Sequence, residues 1–318
     1  MATGMIASGQ ETAAFEAEIG EALSMPPGVA TSSGTAALAA SLRALQVGRD
    51  HEVIVPTYVC RAVADAVESV GARPALCDVE LDWCMSARTV ADAITPRTRA
   101  VIVVHTFGIC ADTAGIRDLG FPIVEDCCQA IGAPGTGEIG AAVVLSFHAT
   151  KLLTTGEGGM ALARESGIAA RLRSAVAVAR TPLADVQAAL GRSQLQKYAQ
   201  FRRRRQILAE RYLAAWSALP AALPFHLMGR SLFFRFPLRT SGDFDQLRES
   251  FGRRGVHVRR GVDALLHRAS GLDVSRFPNA EQLFRETLSI PLYPSLTDDD
   301  QARVVEAARD VLAAPVVS

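Results

Sequence analysis

The sequence lacks several things at once. No apolar run reaches the roughly 18 residues that a membrane-crossing helix needs. Met1 to Gln10 shows none of the basic-then-apolar pattern of a secretory leader. Formal net charge is zero, from 33 basic and 33 acidic side chains. There is therefore no cationic excess to draw the chain to nucleic acid or an anionic membrane. The six cysteines (60, 77, 84, 110, 127 and 128) all fall in the first half. They have neither a disulfide-framework spacing nor a Cys-x-x-Cys pair, and read as reduced thiols of a cytoplasmic protein. Internal repeats and low-complexity tracts are missing too. What remains is a chain of 318 residues, 49% hydrophobic, long enough for two domains.

Apolar strand-like runs alternate with helical stretches through the first half. After a helix over Glu11 to Leu23, the pattern predicts strands at Val53 to Pro56, Pro74 to Asp78, Ala100 to His105, Pro122 to Asp126 and Ala141 to Leu145. Helices follow at Ala36 to Leu45, Arg61 to Val70, Ala87 to Ile94 and Thr113 to Leu119. Such alternation predicts an α/β domain, a mostly parallel sheet flanked by helices, over residues 1–195. Asp185 to Leu219 reads as one long helix leading out of it. Residues 196–318 read as a smaller α/β domain, with a strand at Leu232 to Leu238 and a helix near Phe244 to Arg253. A last helix starts at Thr297, capped with Asp300 three residues on.

Three polar markers fall where strands end, which is where ligands sit in such sheets. Ser33-Gly34-Thr35 is a small-residue turn opening a helix; its free N–H groups and the helix dipole suit a phosphate, although an ordinary Ser/Thr cap has the same form. Asp126 closes a buried strand, where a carboxylate needs a cation or hydrogen-bond donors. Lys151 follows Ser146-Phe-His-Ala-Thr and precedes the glycine-rich Gly156-Glu-Gly-Gly159; a desolvated lysine amine can form a Schiff base. Amine, acid and anion turn are the three things pyridoxal 5′-phosphate requires. A literal Gly-x-Gly-x-x-Gly at Gly135, Gly137 and Gly140 precedes a strand instead of following one, so it is not a dinucleotide site.

Taken in order, the motifs resemble those of the DegT/DnrJ/StrS sugar and aminocyclitol aminotransferases. They are Ser33-Gly-Thr-Ala-Ala-Leu38, Glu52-Val-Ile-Val-Pro56, Val104-His105-Thr-Phe-Gly108, Glu125-Asp126-Cys-Cys-Gln129, Ser146 to Lys151, Gly156 to Gly159 and Ile290-Pro-Leu-Tyr-Pro. The resemblance runs from about Phe15 to Leu312 and implies the aspartate-aminotransferase fold (fold type I), a homodimer, and transfer of an amino group to a keto-sugar or keto-cyclitol. The expected donor is glutamate or glutamine. It implies Lys151 as the Schiff-base lysine, Asp126 as partner of the pyridine nitrogen, and Gln129 beside the phenolic oxygen. Gly34, Thr35, Ser33 and Ser146 would hold the phosphate, His105 would support the site, and no metal is expected.

The departures are equally specific. The position whose aromatic stacks on the cofactor ring in the family is Cys60 here, with Tyr58 available to compensate. The family's Asn-x-Arg pair reads Arg180 and Pro182, with Arg180 a candidate for a contact across a dimer interface. Arg202 to Arg205 reads as a solvated helix face, and His257-Val-Arg259-Arg260 either as an acceptor diphosphate contact or as plain surface charge. A dehydratase on the same scaffold, with His148 as the residue to check, and a non-catalytic cofactor-binding homologue are the competing readings.

Overall fold

Buried β-branched runs pair into a sheet because burial on both faces favours Val and Ile and leaves their backbone groups no other partner. The computed structural model describes residues 9–216 and 229–313. Its large sheet comprises β1 (Val29–Thr31), β2 (Glu52–Pro56), β3 (Arg73–Cys77), β4 (Thr98–Val104), β5 (Ile123–Asp126), β6 (Ala142–Ser146) and β7 (Gly159–Leu162). The spatial order is β1-β7-β6-β5-β4-β2-β3. Strands β3, β2, β4, β5 and β6 run parallel, and β7 is antiparallel to both its neighbours. The helices packed around it are α1 (Gln10–Ala22), α2 (Gly34–Ala44), α3 (Arg61–Ser69), α4 (Ala87–Ala91), α5 (Thr113–Arg117), α6 (Ser166–Ala179) and α7 (Asp185–Leu195). The expected doubly covered, mostly parallel sheet is therefore present. β1 and β7, at three and four residues, are too short to leave a periodic signal.

The expected single helix from Asp185 is two, α7 and α8 (Tyr198–Ala215); Trp216 ends the description there, and positions 217–219 lie outside the described residues. Helical propensity is continuous, but tertiary partners divide it. Asp185 accepts from the Thr12 amide at 2.8 Å, and Arg192 is held by Glu11 and Glu18, so α7 belongs to α1. In α8 the Tyr198 hydroxyl bonds to the Ile131 carbonyl, while Tyr212 reaches Pro291 O and Leu208 O accepts from Gln301.

The second sheet joins β8 (Phe236–Arg239), β9 (Arg259–Arg260) and β10 (Thr287–Ile290), antiparallel in the order β8-β10-β9. Around it lie α9 (Phe244–Gly252), α10 (Leu266–Ala269), α11 (Pro278–Glu286) and α12 (Asp298–Ala313). The strand expected from Leu232 starts only at Phe236. Leu232 and Phe234 instead donate to Gly108 O and Phe107 O, tying this segment to the large sheet. The expected Thr297 cap is formed: the Asp300 amide donates to its hydroxyl at 3.0 Å. One apolar cluster runs from Val53 and Ile54 through Tyr58, Trp83 and Phe107 to Phe233, Phe236 and Leu288. The two lobes thus share a core.

Candidate active site

The carboxyl ends of β5 and β6 lie side by side, so Asp126 and Ser146 end adjacent strands. The start of α2 comes down on them. A Cβ on Gly34 would stand 2.9 Å from Ser146 Cβ and 3.4 Å from Cys128 Sγ, so only glycine allows this approach. The Ser33 hydroxyl accepts the Ala36 amide at 3.1 Å and is the helix N-cap. The amides of Gly34 and Thr35 and the Thr35 hydroxyl have no acceptor or donor among the described residues. They form the positive end of an 11-residue helix beside Ser146.

Asp126 is 6% exposed. One of its oxygens accepts the Cys128 amide at 2.9 Å, and no cation pairs with it among the described residues. A buried carboxylate with so few partners calls for a further donor. Lys151 is half-buried, with Nζ 5.3 Å from the centre of the Phe234 ring and no acidic partner among the described residues. The thiols of Cys60 and Cys128 both feel Asp126 and Lys151. Desolvation first, then the Asp126 charge, raises each pKa, and Lys151 opposes the rise. Cys60 stays exposed at the mouth of this site although protein closely surrounds its sulfur.

Glu125 and Asp126 point to opposite faces of β5, which separates two networks. Behind the sheet, Glu125 accepts His105 Nε2 at 2.9 Å and the amides of Gly137, Ile139 and Gly140 at 2.7, 2.9 and 2.5 Å. Burial opposes its ionisation, but the His105 bond and these amides outweigh it and hold its pKa below the usual carboxylate value. The glycine loop rejected as a dinucleotide site thus cradles the chain's own carboxylate. His105 Nδ1 accepts the Ala111 amide at 3.2 Å, which leaves its proton on Nε2. In that tautomer the grouping of His105, Glu125 and Cys127 cannot ligate a metal through Nε2. His105 is fully buried with both nitrogens engaged, so it reaches the site only through the sheet. Gln129 Oε1 accepts the Phe107 amide at 2.8 Å, which anchors the side chain and leaves its NH₂ free.

A family model for the DegT/DnrJ/EryC1/StrS aminotransferases matches residues 1–309. The chain belongs to that family. It is 32% identical to a dTDP-3-amino-3,4,6-trideoxy-alpha-D-glucose transaminase of Micromonospora megalomicea subsp. nigra, over 98% of this chain and 92% of that one. It is 31% identical to a UDP-N-acetyl-3-dehydro-alpha-D-glucosamine 3-aminotransferase of Acidithiobacillus ferrooxidans, over 96% and 89%. Among solved structures, S. venezuelae DesV superposes with a TM-score of 0.93 at 30% identity, covering 99% of this chain and 92% of DesV. NtdA of Bacillus subtilis, with bound cofactor PMP, gives 0.93 at 26%, over 98% and 79%. The enzyme is thus a pyridoxal-phosphate-dependent aminotransferase. The groups just described fit that cofactor: a short-of-donors buried acid, an unpaired amine, and open amides at a helix start.

Several expectations need correction in this aminotransferase. Tyr58 does not compensate for Cys60. Its ring is fully buried and its hydroxyl lies against Gly261 of the C-terminal lobe. Arg202 to Arg205 is a solvated face only in part, since Arg203 is exposed while Arg204 and Arg205 bond to the protein. Arg205 is 5% exposed and donates to the carbonyls of Phe233, Phe234 and Leu292, with burial lowering its pKa to about 10. Arg204 reaches Leu296 O and Asp298. Arg259 and Arg260 do not act as a pair: Arg260 turns to the rings of Phe244 and Phe284, while Arg259 stays exposed. His148 spends its ring on Thr150 and Glu157 at the surface. Arg180 caps α6, exposed and without an acidic partner among the described residues, and the next carbonyl, Thr181 O, accepts from Ser32.

Three features of the site were missed in the sequence. Cys128 and Phe234 line it, and Arg235 stands in an adjoining cleft of about 500 Å³ with His257, Arg259, Arg303 and Thr150. Nothing in the sequence flags Arg235 among so many arginines. Lysine scarcity is a signal that was there to read: only Lys151 and Lys197 occur.

Proposed function

We propose that the enzyme moves an amino group from glutamate or glutamine to a keto-sugar carried on a nucleoside diphosphate, with Lys151 and Asp126 as its catalytic pair. When bound, pyridoxal phosphate supplies an aldehyde for amines and a ring that accepts electrons. Lys151 Nζ would be the attachment point and, when free, the base that carries the proton from the donor's α-carbon. Asp126 accepts a hydrogen bond from the pyridine N–H and keeps that proton in place; each pKa unit of such support is about 1.4 kcal/mol. The amides of Gly34 and Thr35, with the Thr35 and Ser146 hydroxyls, bind the phosphate; Ser33 shapes this turn as its cap. Gln129 offers its free NH₂ to the phenolic oxygen, Cys60 covers one ring face, and His105 stiffens the sheet beneath. The observation that carries the reading is a 6%-exposed Asp126, without a cation, sharing the thiols of Cys60 and Cys128 with an unpaired Lys151.

Two further observations support the acceptor class. Relatives of both nucleotide types are named above, and the cleft beside Phe234 carries Arg235, Arg259, Arg303 and His257 against one acid, Asp300. Burial first, then the charge of Arg259, lowers the Arg235 pKa, as expected of a cationic pocket awaiting an anion. We place the lobe boundary at 195/196, a homodimer contact near Arg180, and the working compartment in the cytoplasm, in keeping with six free thiols. Mixing the loaded protein with a panel of amino donors tests the reading: glutamate or glutamine should bleach the visible absorbance of the lysine-attached cofactor, and a nucleotide-linked keto-sugar should restore it with an amine product detectable by mass. An unchanged spectrum with every donor would instead favour a binding protein.

A further inference from the structure

The loop Thr57 to Cys60 leads from β2 into α3 and brings Cys60 to the mouth of the site. Only its first amide is held by the large sheet, Thr57 N donating to Cys77 O at 2.9 Å. At its far end the Cys60 carbonyl accepts the Val63 amide of α3 at 3.2 Å, and the fastenings of Thr57 come from more than 200 residues away. Thr57 O accepts the Leu266 amide at 3.1 Å. Thr57 Oγ1 accepts the His267 amide at 3.0 Å and lies 2.8 Å from His267 Nδ1. Glu281, a carboxylate that can only accept, sets the ring proton on Nε2, so Nδ1 of the neutral ring accepts the Thr57 hydroxyl. His267 Nε2–H then donates to Glu281 Oε1 at 3.0 Å. The ring is fully buried and stacked 4.3 Å from Phe277. One residue on, the Tyr58 hydroxyl has no partner within hydrogen-bond geometry among the described residues and rests on Gly261, where a Cβ would overlap it.

We infer that residues 261–267 form a clasp, with His267 as a positioning residue that fixes where Cys60 stands at the cofactor face. The C-terminal lobe, which also carries Arg259 and Arg303 of the cleft, thereby reaches the cofactor side through one loop. A shift of that lobe on filling the cleft moves Thr57 directly, because one backbone carbonyl and two side chains of the loop, those of Thr57 and Tyr58, travel with it. A hydrogen-bonded chain of two buried groups, Thr57 and His267, ending on the half-buried Glu281 suits this role, since losing one leaves a buried neighbour unsatisfied. The inference rests on the placement of Cys60 beside the cofactor proposed above.

The test is the rate at which Ellman's reagent modifies Cys60 in protein loaded with pyridoxal phosphate, with Cys60→Ser as the blank for the half-buried thiols. Bound cofactor should slow labelling of the parent protein. Thr57→Val, of equal size but without the hydroxyl, should raise the loaded-state rate about tenfold, and Thr57→Ser should restore it. A core truncation far from the clasp, Leu172→Ala, should lower the melting temperature and leave the rate alone. If Thr57→Val does not fold, His267→Gln, which keeps an amide toward Glu281 and drops the Thr57 bond, should show the same rise. Cofactor that fails to protect Cys60 at all would overturn its placement. Protection that is intact in Thr57→Val or His267→Gln would overturn the clasp and leave that placement standing.

Discussion

At the scale of single residues, the proposed site depends on two side chains that have no partner of opposite charge among the described residues. Asp126 is kept from water with one backbone donor, and Lys151 faces an aromatic ring in place of an acid. Neutralising Asp126 should therefore act on chemistry more than on folding. Asp126→Asn keeps an oxygen for the Cys128 amide and loses the charge. Its turnover should fall about a hundredfold or more, the equivalent of two pKa units at the ring nitrogen, with cofactor still bound. The same change should lower the Cys60 thiol pKa, because the Asp126 charge is the second cause of its rise after desolvation. A near-normal rate, or a Cys60 titration that does not move, would count against the assignment. Part of this scale was legible: Gly34 packs on Ser146, and Asp126 ends the strand beside it. What a motif could not convey is direction. Glu125 and Asp126 are neighbours in sequence and belong to opposite faces of one strand; His105 shares the Glu125 face, and Tyr58 is buried with its hydroxyl against Gly261.

At the scale of elements, alternating runs and helix starts place the sheet, because β2, β4 and β5 are buried on both faces and their boundaries are set by Pro56, His105 and Asp126. Tertiary pairing decides the remainder. α7 and α8 are separated by their partners, and the segment before β8 is spent on Phe107 and Gly108. The glycine loop at 135–140 belongs here as well, since its amides and His105 turn Glu125 into the post that holds β5 from behind. Glu125→Gln puts an NH₂ group against amides that need an acceptor, and should lower the melting temperature at pH 7 by about 5 °C or more. The pH dependence has a definite sign. The folded pKa of Glu125 lies below its unfolded value of 4.5, so its stabilisation is complete above that pH and is lost as pH falls through the folded value. The gap between parent and variant should narrow in acid; a gap independent of pH would rule out the charge as its source.

At the scale of the whole molecule, two lobes share one apolar core, with the proposed cofactor residues on the first and the cleft cations on the second. Family membership and the architecture were both readable from ordered motifs, whereas the cleft was legible only at His257 and Arg259, because Arg235 and Arg303 come from separate segments of an arginine-rich chain. The division of labour predicts that the donor half of the reaction depends on the first lobe and acceptor recognition on the second. All of it stands on one covalent link. With only two lysines in the chain, borohydride reduction of the loaded enzyme, followed by peptide mass mapping, tests that link directly. The cofactor mass should appear on the peptide containing Lys151 and vanish in Lys151→Ala; its appearance on Lys197, or on neither lysine, would contradict the account.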